Sequence, residues 1–407
     1  MPRLLAINNY YYRRGGAEVV FLESAKLLAD SGWDVVPFAM KHPQNLPSPW
    51  SEYFIDEIEY GEDYSFFEKA ARIPKVIYSF EARRKVRDLI RVARPDIAHA
   101  HNVYHHISPS IFGALKEEGI PTILTLHDLK LACPAYKMLA HDGVCERCKG
   151  GRIWNVVTHK CVKDSYALSG TIALETLTHR ALQLYSRNVD RFIVPSRFYL
   201  EKFVEWGWDR DRFTYIPNFV DTERFAPDPT PGNAFVYVGR LGHEKGLRTL
   251  IKAAAIAAVP LRIIGTGPEE EILRALSERT GGKAEFLGYL AGDDLQGAIK
   301  TGRALVLPSE WYENAPVSIL ESYALGRPVI GAKIGGIPEL IRPGETGATF
   351  ESSDVEALAT VLRQVASLNA SEVTEMGMAG RGWVEDDFSD VRHRDRLVAL
   401  YKTLGVV

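Results

Sequence analysis

Strand-like and helix-like hydrophobic patterns alternate along the whole chain. In the first half, short apolar runs of strand length cover Leu4 to Asn8, Asp34 to Met40, Ile97 to His101, Thr122 to Thr125 and Arg191 to Pro195. In the second half they cover Ala234 to Val238, Leu261 to Ile264, Ala284 to Phe286, Ala304 to Leu307 and Val329 to Ala332. Helical patterns lie between them, which predicts parallel sheets covered by helices on both faces. The chain therefore reads as two doubly wound α/β units. Pro217, Pro227, Pro229, Pro231 and Gly232 crowd a polar stretch and place the junction near Asn218 to Asn233. The expected division is residues 1–217, residues 218–387 and a charged amphipathic helix within 388–407. Its 407 residues suffice for two domains of ordinary size.

In open parallel sheets ligands bind at the carboxyl ends of strands, so the loops there carry the chemistry. The run Leu305-Val306-Leu307-Pro308 ends a strand, and a helix is predicted from about Pro316 to Gly326, with Pro328 beyond. At 100° per residue Val317, Leu320, Ala324 and Leu325 form an apolar stripe, and Glu321 falls close to it. Glu321 is thus expected to point inward, where a carboxylate is paired, protonated or reserved for a ligand. Glu313 lies just before the helix, whose free N–H groups and positive dipole end attract anions. The plain alternative is a surface Glu313 and a structurally satisfied Glu321.

The spacing of Glu313 and Glu321 resembles the E-x7-E motif of glycosyltransferase family 4, whose members have the GT-B fold. The downstream Gly335-Gly336-Ile337-Pro338-Glu339-Leu340-Ile341, then Gly344 and Gly347, is similar to the next family element. The resemblance extends over nearly the whole chain. It implies two Rossmann-like domains facing a central cleft, with the terminal helix crossing back to the first domain. The family's commonest form has a Gly-Phe-Gly-like stretch after the first glutamate. Here Asn314-Ala315-Pro316-Val317 follows Glu313, which bears on the identity of the sugar.

Other loops fit the same frame. Asn9 to Glu18 follows the first strand, and Gly15-Gly16 at a helix start lets a ligand approach the backbone closely. Gly239 to Gly246 brings Arg240 and Lys245 to a strand's end, a guanidinium fork and a mobile ammonium suited to diphosphate oxygens. His127 stands immediately beyond another strand. The resemblance implies donor-diphosphate contacts for Arg240 and Lys245, and a His near the reacting sugar at His127. It implies base-side backbone contacts at Leu287-Gly288-Tyr289, and phosphate donors at Ala315 to Ser318. By the same resemblance Glu313 orients sugar hydroxyls and Glu321 ribose hydroxyls. Taken alone, each of these loops is also an ordinary turn, surface pair or structural histidine.

A net charge of −3 argues against nucleic acid as the main partner. No apolar run reaches the roughly 20 residues that span a bilayer, and the start at Met1 reads as a strand rather than a signal peptide. A cytoplasmic protein is expected. All four cysteines, Cys133, Cys145, Cys148 and Cys161, lie in one segment at C-x11-C-x2-C-x12-C spacing. Structural zinc, or reduced thiols in an ordinary insertion, follows, with His141 and His159 as substitute ligands. His99, His101, His105 and His106 have no close carboxylate and are not read as a metal site. From Lys69 to Arg94 cations interleave with apolar residues, which suits either a helix packed on the first domain or contact with the anionic leaflet of the inner membrane.

The expectation is a retaining hexosyltransferase that uses a UDP- or GDP-sugar and needs no catalytic metal. Its acceptor would be a glycan or polyprenyl-linked sugar of exopolysaccharide or lipopolysaccharide synthesis. A sugar-nucleotide epimerase of the same fold and a non-catalytic sugar-nucleotide-binding subunit are the alternatives.

Overall fold

A computed structural model describes residues 1–57, 75–140, 143–228, 230–282 and 284–406. Strands β1 (Arg3–Ile7), β2 (Asp34–Phe38), β3 (Ile97–Ala100) and β4 (Thr122–Thr125) belong to the first sheet. A small antiparallel hairpin follows, β5 (Leu139–Ala140) and β6 (Gly143–Val144), and then β7 (Arg191–Val194) and β8 (Phe213–Tyr215) complete the sheet. Its order is β2-β1-β3-β4-β7-β8, all parallel. The second sheet comprises β9 (Phe235–Val238), β10 (Leu261–Ile264), β11 (Ala284–Gly288), β12 (Leu305–Leu307), β13 (Val329–Ala332) and β14 (Gly347–Phe350). It is also parallel, in the order β11-β10-β9-β12-β13-β14.

Alternate residues of each strand enter opposite cores, as the pleat requires. Leu5, Ile7, Ala98, Leu124 and Phe192 pack on one face of the first sheet. Leu4, Ala6, Ile97, Ile123 and Ile193 pack on the other. Burial on both faces explains why these strands read as continuous apolar runs. The terminal helix Asp390–Thr403 adds Leu397, Leu400 and Tyr401 to that second core, so the chain's end crosses back onto the first domain. Each such side chain contributes about 1.5–3 kcal/mol when fully buried.

All ten predicted strands are present. Edge strands β8 and β14 were not predicted, because Phe213-Thr214-Tyr215 and Gly347-Ala348-Thr349-Phe350 are short and only part-buried. Of the basic stretch, residues 69–74 lie outside the described residues. The remainder includes the helix Phe80–Ala93, whose Arg83 pairs with Glu117 at 2.5 Å and Arg87 with Glu118 at 3.3 Å, holding it to the helix Ser110–Glu117. Those pairs leave fewer cations for a membrane surface. No described helix is long and apolar enough to cross a membrane.

Candidate active site

Strand order reverses between β9 and β12 in the second sheet, and the crevice outside such a reversal is where α/β sheets bind ligands. The loop after β9 carries Arg240 and Lys245, and the loop after β12 carries Glu313. Lys245 Nζ donates to Glu313 Oε1 at 2.7 Å, and Ser309 Oγ donates to the same oxygen at 2.7 Å. Glu313 is buried, and this pairing is what permits a carboxylate there. Lys245 Nζ also stands 5.1 Å from the Trp311 ring centroid, and the buried Trp311 indole nitrogen has no hydrogen-bond partner among the described residues. Arg240 is exposed and leans on the buried Glu244, while the Tyr237 hydroxyl donates to the Arg240 carbonyl at 2.9 Å.

Two glycines make this approach possible. A Cβ on Gly246, at φ +69°, would lie 1.8 Å from the Pro308 carbonyl oxygen, so the two loops meet only with glycine there. A Cβ on Gly335, at φ +60°, would lie 2.4 Å from the Glu313 backbone carbonyl oxygen, and Gly336 N–H donates to that carbonyl at 2.8 Å. The Gly335-Gly336 element therefore clamps the Glu313 backbone.

Glu321 is largely withdrawn from solvent, as expected, but lies beside the apolar stripe of its helix rather than within it. The helix runs Val317–Ala324, and Ile319, Leu320, Tyr323 and Ala324 form its buried face. Glu321 shares the half-buried flank beside that face with Val317, four residues earlier. Its carboxylate has no hydrogen-bond or ion-pair partner among the described residues. Burial raises its pKa, and only the charge of Arg224 opposes this. The residues nearest the core were misjudged because Ile319 and Tyr323, left out of the predicted stripe, rotate it by about one residue.

The first domain faces this loop set. Gly15 caps the helix Gly16–Asp30, and a Cβ on Gly16 would meet nothing within 4 Å, so the space beside it is open. His127 follows β4, and its Nε2 shares a hydrogen bond with His101 Nδ1 at 2.8 Å, the two rings stacked. Burial pushes the His127 pKa down to about 4, so the ring is neutral near pH 7. Beside it burial raises Asp128 to about 6, although the Lys130 amide and ammonium oppose that rise. Asp128 was not singled out from sequence; a lone Asp after a His carries no distinguishing signal.

Asn314 joins the two halves. Its amide donates to the Leu126 carbonyl at 3.0 Å, next to His127, and its oxygen accepts from Ser196 Oγ at 2.8 Å. Glu339 accepts from the amides of Arg197 at 2.8 Å and Phe198 at 2.5 Å, at the start of the helix Arg197–Glu205. Asn218 donates to the Ala315 carbonyl at 2.7 Å. Leu287 packs into the second domain, whereas Tyr289 is exposed at the end of β11. Of the predicted residues, Lys245 and Glu313 meet directly, with Arg240 on the same loop as Lys245 and Glu321 on the helix that follows Glu313; Gly15 and Gly16 stand at the start of the first helix, His127 after β4, and Leu287 and Tyr289 at the end of β11.

The glycosyltransferase family 4 model matches residues 14–224, and a second model, glycosyl transferases group 1, matches residues 220–383. The chain belongs to glycosyltransferase family 4. It is 36% identical to a sulfoquinovosyl transferase of Arabidopsis thaliana over 43% of this chain and 35% of that one. It is 30% identical, over 52% of this chain and 62% of the other, to a GDP-mannose-dependent monoacylated alpha-(1-6)-phosphatidylinositol monomannoside mannosyltransferase of Corynebacterium glutamicum. The match thus spans less than two thirds of either relative's length. Among solved structures, Anabaena HepE in complex with UDP and glucose superposes with a TM-score of 0.67, at 16% identity, over 99% of this chain and 100% of that one. That likeness establishes the GT-B fold. Both cation-bearing and both glutamate positions of this family 4 chain lie within the segment matched by the second model.

Proposed function

We propose that this protein is a retaining glycosyltransferase that moves a hexosyl group from a nucleotide-diphosphate sugar to a hydroxyl of a glycan or polyprenyl-linked acceptor. The observation that carries this reading is the Lys245–Glu313 contact at the β9/β12 reversal, with exposed Arg240 beside it. Two cations at the mouth of a crevice stabilise the diphosphate as it leaves, which is where negative charge develops. Glu313, held by Lys245 and Ser309, orients sugar hydroxyls, and the unpartnered Glu321 accepts from the ribose. Neutral His127 contacts the sugar.

In the reaction the bond from the anomeric carbon to the phosphate oxygen breaks and a bond to the acceptor oxygen forms on the same face. The acceptor proton passes to the departing phosphate. No carboxylate is assigned as a nucleophile, and Arg240 and Lys245 take the role that a divalent ion would have at the diphosphate. The names of the relatives support a nucleotide donor: one uses GDP-mannose, and HepE was solved with UDP and glucose. The corynebacterial relative acts on a glycolipid by its name, which favours a lipid-linked acceptor met at the cytoplasmic face of the inner membrane.

A thermal-shift screen of UDP- and GDP-sugars names the donor, because a ligand that binds only the folded state raises its apparent stability. Labelled donor with and without acceptor then separates transfer from epimerisation and from mere binding. Transfer with retained anomeric configuration in the product's NMR coupling is expected. Inversion, a glycosyl group trapped on a carboxylate, or activity abolished by chelation and restored by magnesium would overturn the mechanism.

A further inference from the structure

The helix Tyr166–Ala181 reverses the order of faces that a helix in water normally shows. Its buried side is Ser169, Ala173, Glu175, Thr176 and His179. Polar members of that side are bonded inside the fold: Glu175 accepts from Lys130 Nζ at 2.8 Å, His179 Nε2 meets the Ile77 carbonyl at 2.7 Å, and the Thr176 hydroxyl donates to the Ile172 carbonyl at 2.8 Å. The outer side is apolar. Tyr166, Leu174, Leu177 and, just past the helix end, Leu182 are 52% to 62% exposed. At about 100° per residue the first three fall within about 80° of one another, and Gly170 and Ala181 complete that strip, which carries no charge. A contiguous exposed strip of this kind marks a docking surface.

Cations flank the strip. Lys160 and Lys163 precede the helix, Arg180 and Arg187 stand at its far end, and Lys160 Nζ lies 4.7 Å from the centre of the Tyr166 ring. Between residues 160 and 187 the acids are Asp164 and Glu175, and Glu175 is paired with Lys130 inside. The surroundings of the strip are thus cationic on a chain whose net charge is −3. The cysteine segment ahead of the helix adds no metal charge to this balance. Its four thiols are free, and among the described residues no group of three or more His, Cys, Asp or Glu side chains could hold an ion.

We propose that this face lies on an anionic phospholipid bilayer. Tyr166, Leu174, Leu177 and Leu182 enter the boundary between headgroups and acyl chains, and the cations at the two ends of the helix meet lipid phosphates. A second copy fits less well. A two-fold contact sets the same patch against itself, and either end of the helix would then bring cations against cations. The place of the helix links the surface to the reaction: Lys130, three residues after His127, ties to Glu175 on the inner side, so the bilayer is met beside the loop that carries His127. That consequence rests on the lipid-linked acceptor of the proposed function; the surface itself does not.

The test is flotation of the purified full chain with vesicles of phosphatidylcholine alone and of phosphatidylcholine with about one third phosphatidylglycerol. The chain should float with the anionic vesicles, and raised salt should weaken the association. Leu174→Ser with Leu177→Ser should lower the bound fraction about tenfold at an unchanged melting temperature, since both side chains are exposed. Lys160→Gln with Lys163→Gln should lower it on anionic vesicles only, and this variant carries the test if the serine variant melts early. No flotation with anionic vesicles, or flotation of both variants like the parent, overturns the surface. So does a parent that light scattering finds dimeric and that the serine pair makes monomeric, because the face then belongs to a second copy. Transfer to a water-soluble acceptor should be the same in parent and variants. Absence of transfer in all of them, with flotation intact, overturns the glycosyltransfer reading and leaves the surface standing.

Discussion

Glu313 and Glu321 are both motif carboxylates, yet their surroundings are opposite. Glu313 is already neutralised by Lys245 and hydrogen-bonded by Ser309. Glu321 has burial acting on it and no bonded partner among the described residues, the state of a group awaiting one. Glu321→Gln should leave the melting temperature within about a degree of the parent and weaken donor binding by about 1–3 kcal/mol, because a charge-assisted hydrogen bond is lost. Titration calorimetry with the nucleotide donor measures this, and unchanged affinity would sink the ribose assignment. Lys245→Met acts twice. It removes a cation from the leaving diphosphate, lowering kcat by about 10²–10³. It also leaves Glu313 buried without its ion pair, at a stability cost of about 1–3 kcal/mol. Steady-state kinetics and denaturant melts separate the two effects; wild-type kcat would exclude Lys245 from the leaving-group site.

The loops work because helices and strands bring their ends to within backbone contact. Gly246 ends a short 3-10 turn (His243–Lys245) and starts the helix Leu247–Ala257 in a left-handed conformation, pressed on Pro308. Gly246→Ala should destabilise the second domain by more than about 1 kcal/mol, since both its φ and the contact are incompatible with a Cβ. It should also raise the donor KM, because the Lys245 loop must withdraw from Glu313; a variant that melts with the parent and keeps its KM would contradict this account. Near His127, Lys130 Nζ and Glu175 form a buried pair at 2.8 Å, with His105 3.2 Å from the other carboxylate oxygen. Burial favours the protonated Glu175, but Lys130 and His105 overcome it and hold its pKa near about 2. This pair anchors the segment after His127 to the helix Tyr166–Ala181. Nothing in the spacing of Lys130 and Glu175 could have announced it, since 45 residues separate them.

Across the molecule, the terminal helix is tied to the first domain through buried histidines. His99 Nδ1 shares a hydrogen bond with the Tyr401 hydroxyl at 2.7 Å, and His393 lies 3.2 Å from Ser24 Oγ and 3.0 Å from the Pro217 carbonyl. Burial lowers His99 to about 3 and His393 to about 4, and it holds His101 well below the usual histidine range. All three are neutral in the fold, whereas the unfolded chain takes up their protons below about pH 6.5. Their contribution is therefore fully present above pH 6.5 and is lost as the pH falls toward the folded values. Each accounts for about 1.4 kcal/mol per pH unit in that window. The melting temperature should be nearly level from pH 8 to 7 and fall steeply below pH 6. A level profile down to pH 4.5 would show that the histidines are not neutral and buried as a set.

The alternation of strand and helix periods, the two-unit division and the motif positions at strand ends were readable in the chain, because they depend on local periodicity and on residues a few places apart. So was the clustering of chemistry in the Arg240 and Glu313 loops, since parallel sheets put ligands at carboxyl ends. Strand order, and with it the β9/β12 reversal that makes those two loops neighbours, depends on pairing between distant segments and was settled only by the tertiary structure. The same holds for the edge strands β8 and β14, which are too short to carry a period, and for the place of Glu321 beside the buried face of its helix, which a rotation of the stripe by about one residue decides. The Lys245–Glu313 bond, the Asn314 bridge to Leu126 and Ser196, and the His101–His127 contact all join residues far apart in sequence. Their chemistry was present in the residue types; their meeting was a property of the packed molecule, because only packing can bring such groups within 3 Å of each other.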